Sequence, residues 1–222
     1  MCGRFAFYSP SEATAALFGV NNSLPVEPRF NIAPTQYIAA IRKTADNAEL
    51  VMLRWGLIPF WAKDPSIGNR MINARAETVA EKPAYRAAYR KRRAVVLADG
   101  FYEWQRDGAV KTPYYISLAS GEPFALAGLW EQWDDKESGE SIQSATLITT
   151  AANEFMQSLH HRMPMILNPD SASRWLAGDM TMIETASQDS PPLQAWPVAR
   201  EVNNARNQGE QLIEAVGEKR VG

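Results

Sequence analysis

Along most of the chain apolar and polar positions alternate in short runs, and Gly, Pro, Asn and Asp separate the runs. Residues 2–7 predict a first strand. Ser9-Pro10-Ser11-Glu12 then has capping-box spacing with Pro10 at the first helical position, which predicts a short helix to about Phe18. Residues 21–34, rich in Asn and Pro, predict a loop, and 37–42 with 49–55 predict a hairpin around a polar turn at 44–48. Residues 56–72 contain Pro59, Pro65 and Gly68 and predict an irregular surface loop carrying Phe60 and Trp61. From 77 to 93 the period turns helical, broken at Pro83, and 94–98 is the apolar run of a buried strand. Further strands are expected at 101–105, 113–118, 124–130 and 144–150, with the acidic segment 131–140 as a solvated hairpin loop. A short helix suits 153–159, a strand 163–167, a helix 170–176 opening after Pro169, a last strand 194–199, and a turn or helix 208–215. Many short strands without regular βαβ alternation indicate an α+β fold: one domain with a largely antiparallel, barrel-like β-sheet core and short flanking helices.

Composition narrows the chemistry. The 222 residues suit one domain, and no compositional break marks a linker. Lys plus Arg (23) against Asp plus Glu (25) gives a net charge of −2, so contact with a polyanion has to come from a local patch. Residues 69–93 supply one: eight basic residues against Glu77 and Glu81, a local excess of six. Within it Arg86, Arg90 and Arg93 recur at helical spacing, which fits a basic stripe for phosphates or a solvated helix face. One cysteine excludes an intramolecular disulfide and a Cys-based zinc cluster, and His160 and His161 are the chain's two histidines, so no metal and no cofactor is expected. No run approaches the ~20 apolar residues that span a bilayer. A cytoplasmic setting is expected, nucleoid-associated if the source is bacterial.

The cysteine stands second. Initiator methionine is commonly removed before a small residue, which would leave Cys2 as a 1,2-aminothiol with an amine of pKa ~7.7–8.0 beside a thiol of ~8.5. Two chemistries follow: attack of the thiol on a carbonyl with the amine as base, or condensation of the amine with an aldehyde followed by thiol closure to a thiazolidine. Cys2 also suits a plain packing role as a small hydrophobe. Ile72-Asn73-Ala74-Arg75-Ala76-Glu77, if extended, puts Asn73 and Arg75 on one face; if a helix entry, Asn73 caps it. Glu103 lies between the aromatics of Phe101-Tyr102-Glu103-Trp104, where burial would raise its pKa and fit it for acid–base work; an outward-facing strand glutamate is the plainer reading. Of His160 and His161, one suits proton transfer with the other facing elsewhere.

Together these segments resemble the SRAP family, the SOS response-associated peptidase-like proteins that sense abasic sites in single-stranded DNA. The stretches are Met1-Cys2-Gly3-Arg4-Phe5, Phe30-Asn31-Ile32-Ala33-Pro34-Thr35, Trp55-Gly56-Leu57-Ile58-Pro59-Phe60-Trp61, Ile72-Asn73-Ala74-Arg75-Ala76-Glu77-Thr78, Ala98-Asp99-Gly100-Phe101-Tyr102-Glu103-Trp104 and His160-His161-Arg162-Met163-Pro164, in the family's order. The resemblance implies a DNA–protein crosslink from Cys2 to the aldehyde of an abasic deoxyribose. Catalytic roles would fall to Cys2, Asn73 (holding the amine and adduct), Glu103 (acid–base) and His160 (sugar ring opening). Phosphates would meet Arg4, Arg75 and Arg162; Asn31 and Pro34 would line the site, and Phe60 and Trp61 would wedge the DNA. Removal of Met1, by the protein itself or by a host aminopeptidase, a lyase-type activity and a monomeric state are further implications. The resemblance spans 2–213 and leaves 214–222 as a C-terminal tail; 202–208 matches loosely. Two other readings stay open: an N-terminal-nucleophile amidohydrolase, since glutamine amidotransferases also begin Met-Cys-Gly, and a noncovalent single-stranded DNA-binding module.

Overall fold

The structure, a computed structural model, describes residues 2–22, 24–44, 47–186 and 190–222. In chain order its strands are β1 (Phe5–Phe7), β2 (Arg29–Ile32), β3 (Tyr37–Lys43), β4 (Ala48–Trp55), β5 (Asn73–Arg75), β6 (Arg93–Ala98), β7 (Gly100–Asp107), β8 (Val110–Leu118), β9 (Phe124–Asp134), β10 (Ser141–Ala151), β11 (Arg162–Pro164), β12 (Ile166–Leu167), β13 (Leu193–Pro197) and β14 (Arg220–Val221). The helices are short: α1 (Ser11–Leu17), α2 (Arg86–Lys91), α3 (Glu154–Gln157), α4 (Pro169–Ala177) and α5 (Met182–Thr185).

Strands β4, β3, β6, β9 and β10 close into a barrel. All neighbours are antiparallel except β10 and β4, whose parallel pairing makes the closure. Closure removes the unpaired edges that an open sheet of these strands would present. β5 adds to β10 in parallel, and β11 and β12 extend β10 and β9. β6 is buried along its whole length, the pattern of a strand covered on both faces. On its outside lies α4, which opens on a capping box of Asn168 and Ser171 with Pro169 in the first turn and stops at Gly178, φ +94°. From α4, Trp175 Nε1 donates to the carbonyls of Ala94 and Gly128 at 3.0 and 3.1 Å.

A second sheet runs β14-β13-β8-β7-β1-β2. Phe5 packs edge-on against Trp55 of the barrel, ring centroids 5.2 Å apart. The sheet's other face carries Tyr102, Tyr115 and Trp196, with successive rings 5.1 and 5.3 Å apart. At Gly100 a Cβ would lie 2.3 Å from the Tyr115 hydroxyl, so glycine is what lets these strands approach. Residues 214–222 fold back onto this sheet and end as β14 against β13.

The α+β class and antiparallel barrel match the sequence reading, and several local expectations need correction. The first strand starts only at Phe5. Pro10 is the N-cap of α1 rather than its first residue, and Ser9 makes no capping box: its N–H and Oγ donate to Asp99 at 2.8 and 2.5 Å. The loop expected over 21–34 contains β2, which pairs with β1. In 77–93 only a 3-10 turn over Ala76–Thr78 and α2 are helical. The stripe through Arg86, Arg90 and Arg93 does not form, because Arg93 begins β6 and is buried over the rings of Tyr89 and Trp175, 4.5 and 4.3 Å from their centroids. The acidic loop is shorter than 131–140: β9 runs to Asp134, and buried Glu131 pairs with Arg92 at 2.6 Å. The strand at 163–167 is divided at Met165 into β11 and β12, and the last predicted strand stops at Pro197. Positions 45 and 46 of the predicted 44–48 turn lie outside the described residues.

Candidate active site at the amino-terminal cysteine

Cys2-Gly3-Arg4 runs beside β7, where Tyr102 N–H donates to the Arg4 carbonyl at 2.9 Å. Cys2 is fully buried. From the barrel side, Asn73 begins β5 opposite Leu147 of β10 and donates from Nδ2 to the Cys2 carbonyl at 2.7 Å. Its Oδ1 is buried and meets no partner among the described residues. Asn73–Arg75 is strand, so the extended reading holds and the helix-capping one does not. Glu103 on β7 is 3% exposed. Burial pushes its carboxyl above the ordinary range, and the Cys2 thiol rises for the same reason, the nearby Glu103 charge adding to it.

His160 completes the group. The backbone of Arg162 holds its ring through Nδ1, 3.0 Å from the nitrogen and 3.1 Å from the carbonyl oxygen. Burial lowers its pKa, and the charges of Arg106 and Arg162 add to that. Contrary to the expectation that the second histidine faces elsewhere, the rings of His160 and His161 stack before β11, 4.3 Å apart at 27°. Glu103 and His160 line one cleft of about 540 Å³ together with Trp104, Arg106, Lys111 and Asn203.

The other expected residues divide by what already holds them. Arg4 Nη1 donates to Asn31 Oδ1 at 2.7 Å and to the Val202 carbonyl at 2.9 Å. Asn31 is wholly buried, its Nδ2 donating to the carbonyls of Val202, Asn204 and Asn207. Arg162 is buried too, bonded to both carboxylate oxygens of Glu77 and, at 2.6 Å, to the Thr149 carbonyl. Arg75 is exposed and Pro34 half-buried. Phe60 and Trp61 are 57% and 50% exposed. Their loop leaves β4 at Gly56, where φ is +125° and a Cβ would come within 2.4 Å of the Gly68 carbonyl. Phe60 belongs to a separate cleft of about 620 Å³ beside Arg90, Lys91, Arg92 and Trp130.

Three cleft residues escaped the sequence reading. Asn203 Oδ1 accepts from Trp104 Nε1 at 2.7 Å across 99 positions, for which the chain gives no local signal. Arg106 and Lys111 were legible in principle, since Gly108 centres a hairpin that places them opposite one another. Among the described residues no group of three or more His, Cys, Asp or Glu side chains could hold a metal ion, and no helix is long and apolar enough to cross a membrane.

A five-stranded barrel flanked by an open sheet is an architecture shared with known proteins. A crystal structure of a protein from Bacteroides thetaiotaomicron superimposes with a TM-score of 0.85 at 26% identity, over 97% of this chain and 100% of that one. The family model of the SOS response associated peptidase (SRAP) matches residues 1–205, and the chain belongs to that family. It is 42% identical to the abasic site processing protein YoaM of Bacillus subtilis, over 97% of this chain and 98% of the relative. To YedK of Escherichia coli, named likewise, identity is 32% over 97% and 100%. HMCES of Xenopus tropicalis, also an abasic site processing protein, is 34% identical over 86% of this chain and 67% of its own length.

Proposed function

We propose that this protein senses abasic sites in single-stranded DNA and shields them as a covalent adduct of Cys2. The names of its relatives support the lesion. The observation that carries the chemistry is Asn73, which grips the Cys2 carbonyl while keeping a buried, unmatched oxygen beside the residue whose amine would react. Removal of Met1 frees that amine. His160, kept neutral by its lowered pKa, takes the proton of the sugar's C1′ hydroxyl as the C1′–O4′ bond breaks and returns it to O4′, so that the deoxyribose opens to an aldehyde and a C4′ hydroxyl. The Cys2 nitrogen attacks the aldehyde carbon, and Glu103, its carboxyl pKa raised by burial, serves as the acid that gives a proton to the departing hydroxyl, so that water and an imine result.

The thiol acts second. Its raised pKa makes it a poor opening nucleophile, whereas the imine carbon accepts sulfur as the S–H proton passes, by way of Glu103, to the imine nitrogen. The sum is aldehyde plus aminothiol giving thiazolidine plus water. Loss of the imine removes the species from which β-elimination would cut the strand. Arg4 and Arg75 bring positive charge to the phosphates, Arg162 reaches them only by sharing the charge it now gives Glu77, Asn31 and Pro34 shape the wall, and Phe60 and Trp61 stack on neighbouring bases.

The test is a heat-stable protein–DNA band on a single strand carrying one abasic site, with a mass one water below the sum of the two partners. Cys2→Ala should abolish it. A band that survives Cys2→Ala, or none from native protein shown to lack Met1, overturns the covalent reading.

A further inference from the structure

We infer that Arg106 and Lys111 form a phosphodiester-binding subsite on the β7–β8 hairpin, for the backbone of the strand whose abasic sugar reaches Cys2. The inference rests on the function proposed above and adds a contact that none of its residues supplies. In the antiparallel register Arg106 stands directly opposite Lys111, and like charges in that position repel. Among the described residues neither forms an ion pair: the acids in such pairs are Glu49, Glu131, Glu77 and Asp179, taken by Arg42, Arg92, Arg162 and Arg174. Hairpins ordinarily relieve such repulsion with an opposite charge across the ladder, and an anion drawn from outside does the same.

The pair's position supplies the anion's identity. Arg106 and Lys111 line the cleft that holds Glu103 and His160, and Glu103 is the one carboxylate among the residues lining it. That carboxyl is buried on its strand and forms no ion pair with either cation among the described residues. Strand alternation puts Trp104 on the same face as Arg106 and sends Glu103, Gln105 and Asp107 to the other, so the cleft draws Glu103 and Arg106 from opposite faces of β7. Gln105 is spent there on the Ser158 carbonyl at 2.7 Å. Arg4 lies 5.8 Å over the Trp104 ring, whose Nε1 is fixed by Asn203. One face therefore carries cation, aromatic ring and two further cations in a row, the arrangement that tracks a single strand by its phosphates while a ring offers stacking.

The experiment uses equilibrium binding of a short single strand with one abasic site, in a Cys2→Ala background, across a salt series. Arg106→Gln/Lys111→Gln should bind roughly tenfold more weakly at low salt, with a salt slope shallower by ~0.7 for each phosphate lost. The charge-keeping pair Arg106→Lys/Lys111→Arg should retain the native slope, and unchanged melting temperatures guard against misfolding. Replacing single phosphates by neutral methylphosphonates should find a position that costs the parent affinity and costs the glutamine pair nothing, which separates a backbone phosphate from free phosphate. An unchanged affinity and slope in the glutamine pair, with native protein still crosslinking, overturns the subsite alone. A lost slope with no crosslink from Met1-free native protein supports the subsite and overturns the covalent reading.

Discussion

On the barrel, Trp175 buries a whole ring against β6 and β9 and its two hydrogen bonds merely orient that ring. At the corner where β1 and β2 meet the 200–208 segment, the order is reversed: Asn31 and Arg4 supply the connection, and it consists of hydrogen bonds to carbonyls. Loss of an apolar contact weakens the whole barrel, because closed strands share their burial. Loss of an amide at the corner opens one segment and leaves the rest standing. The candidate site lies between these regimes, Asn73 hung from the barrel and Glu103 from the open sheet.

The comparison breaks first at Trp175. Trp175→Ala should cost about 3–5 kcal/mol of global stability, read by urea unfolding; a cost near that of a surface substitution would show that α4 is ornamental to the barrel. Asn31→Ala should cost about 2–3 kcal/mol for a buried amide with several partners. Hydrogen exchange should rise in 200–208 and beside Arg4 while the barrel stays protected, and a uniform rise would erase the distinction.

Glu103→Gln sharpens it through pH. A carboxyl whose pKa is raised on folding binds more protons folded than unfolded, so its contribution is full at acid pH and is lost as pH climbs from the ordinary carboxylate range through the raised value. Melting temperature should therefore fall less with rising pH in the glutamine variant than in the native chain, and parallel curves would refute the burial argument. Asp179, beside α4, has the opposite sign: hydrogen bonds from Thr181 and Arg174 lower its pKa to about 2. Its contribution is present above the ordinary carboxylate range and is lost as pH falls toward that value. Asp179→Asn should flatten only the acid limb, and by the smallest amount of the four because solvent reaches the half-buried carboxylate; a change confined to alkaline pH would contradict it.

Elements built from neighbouring residues were readable in the sequence. The β3–β4 hairpin follows from alternation around a polar turn, and β6 from an unbroken apolar run. β2 was hidden because its Asn- and Pro-rich neighbourhood signals a loop, and only pairing with β1 makes it a strand. Arg93 misled through its spacing: it stood in phase with a helix that ends before it, and two aromatic rings bury its charge. At the site, Asn73 and Glu103 were conspicuous as polar residues in apolar segments. The plainer reading of Glu103, outward on its strand, fails because Cys2-Gly3-Arg4 lies beside β7, a neighbour that the local pattern cannot show.

The parallel seam between β4 and β10 also has a temporal meaning. Ile58 N–H reaches Ser144 Oγ across 86 positions, and β5 is held by β10, so Asn73 is delivered to Cys2 only once the chain has been made and folded past residue 147. Such distant pairings form slowly. Until the seam closes, the cysteine lacks its amide grip, and the complete candidate site is a property of the finished fold.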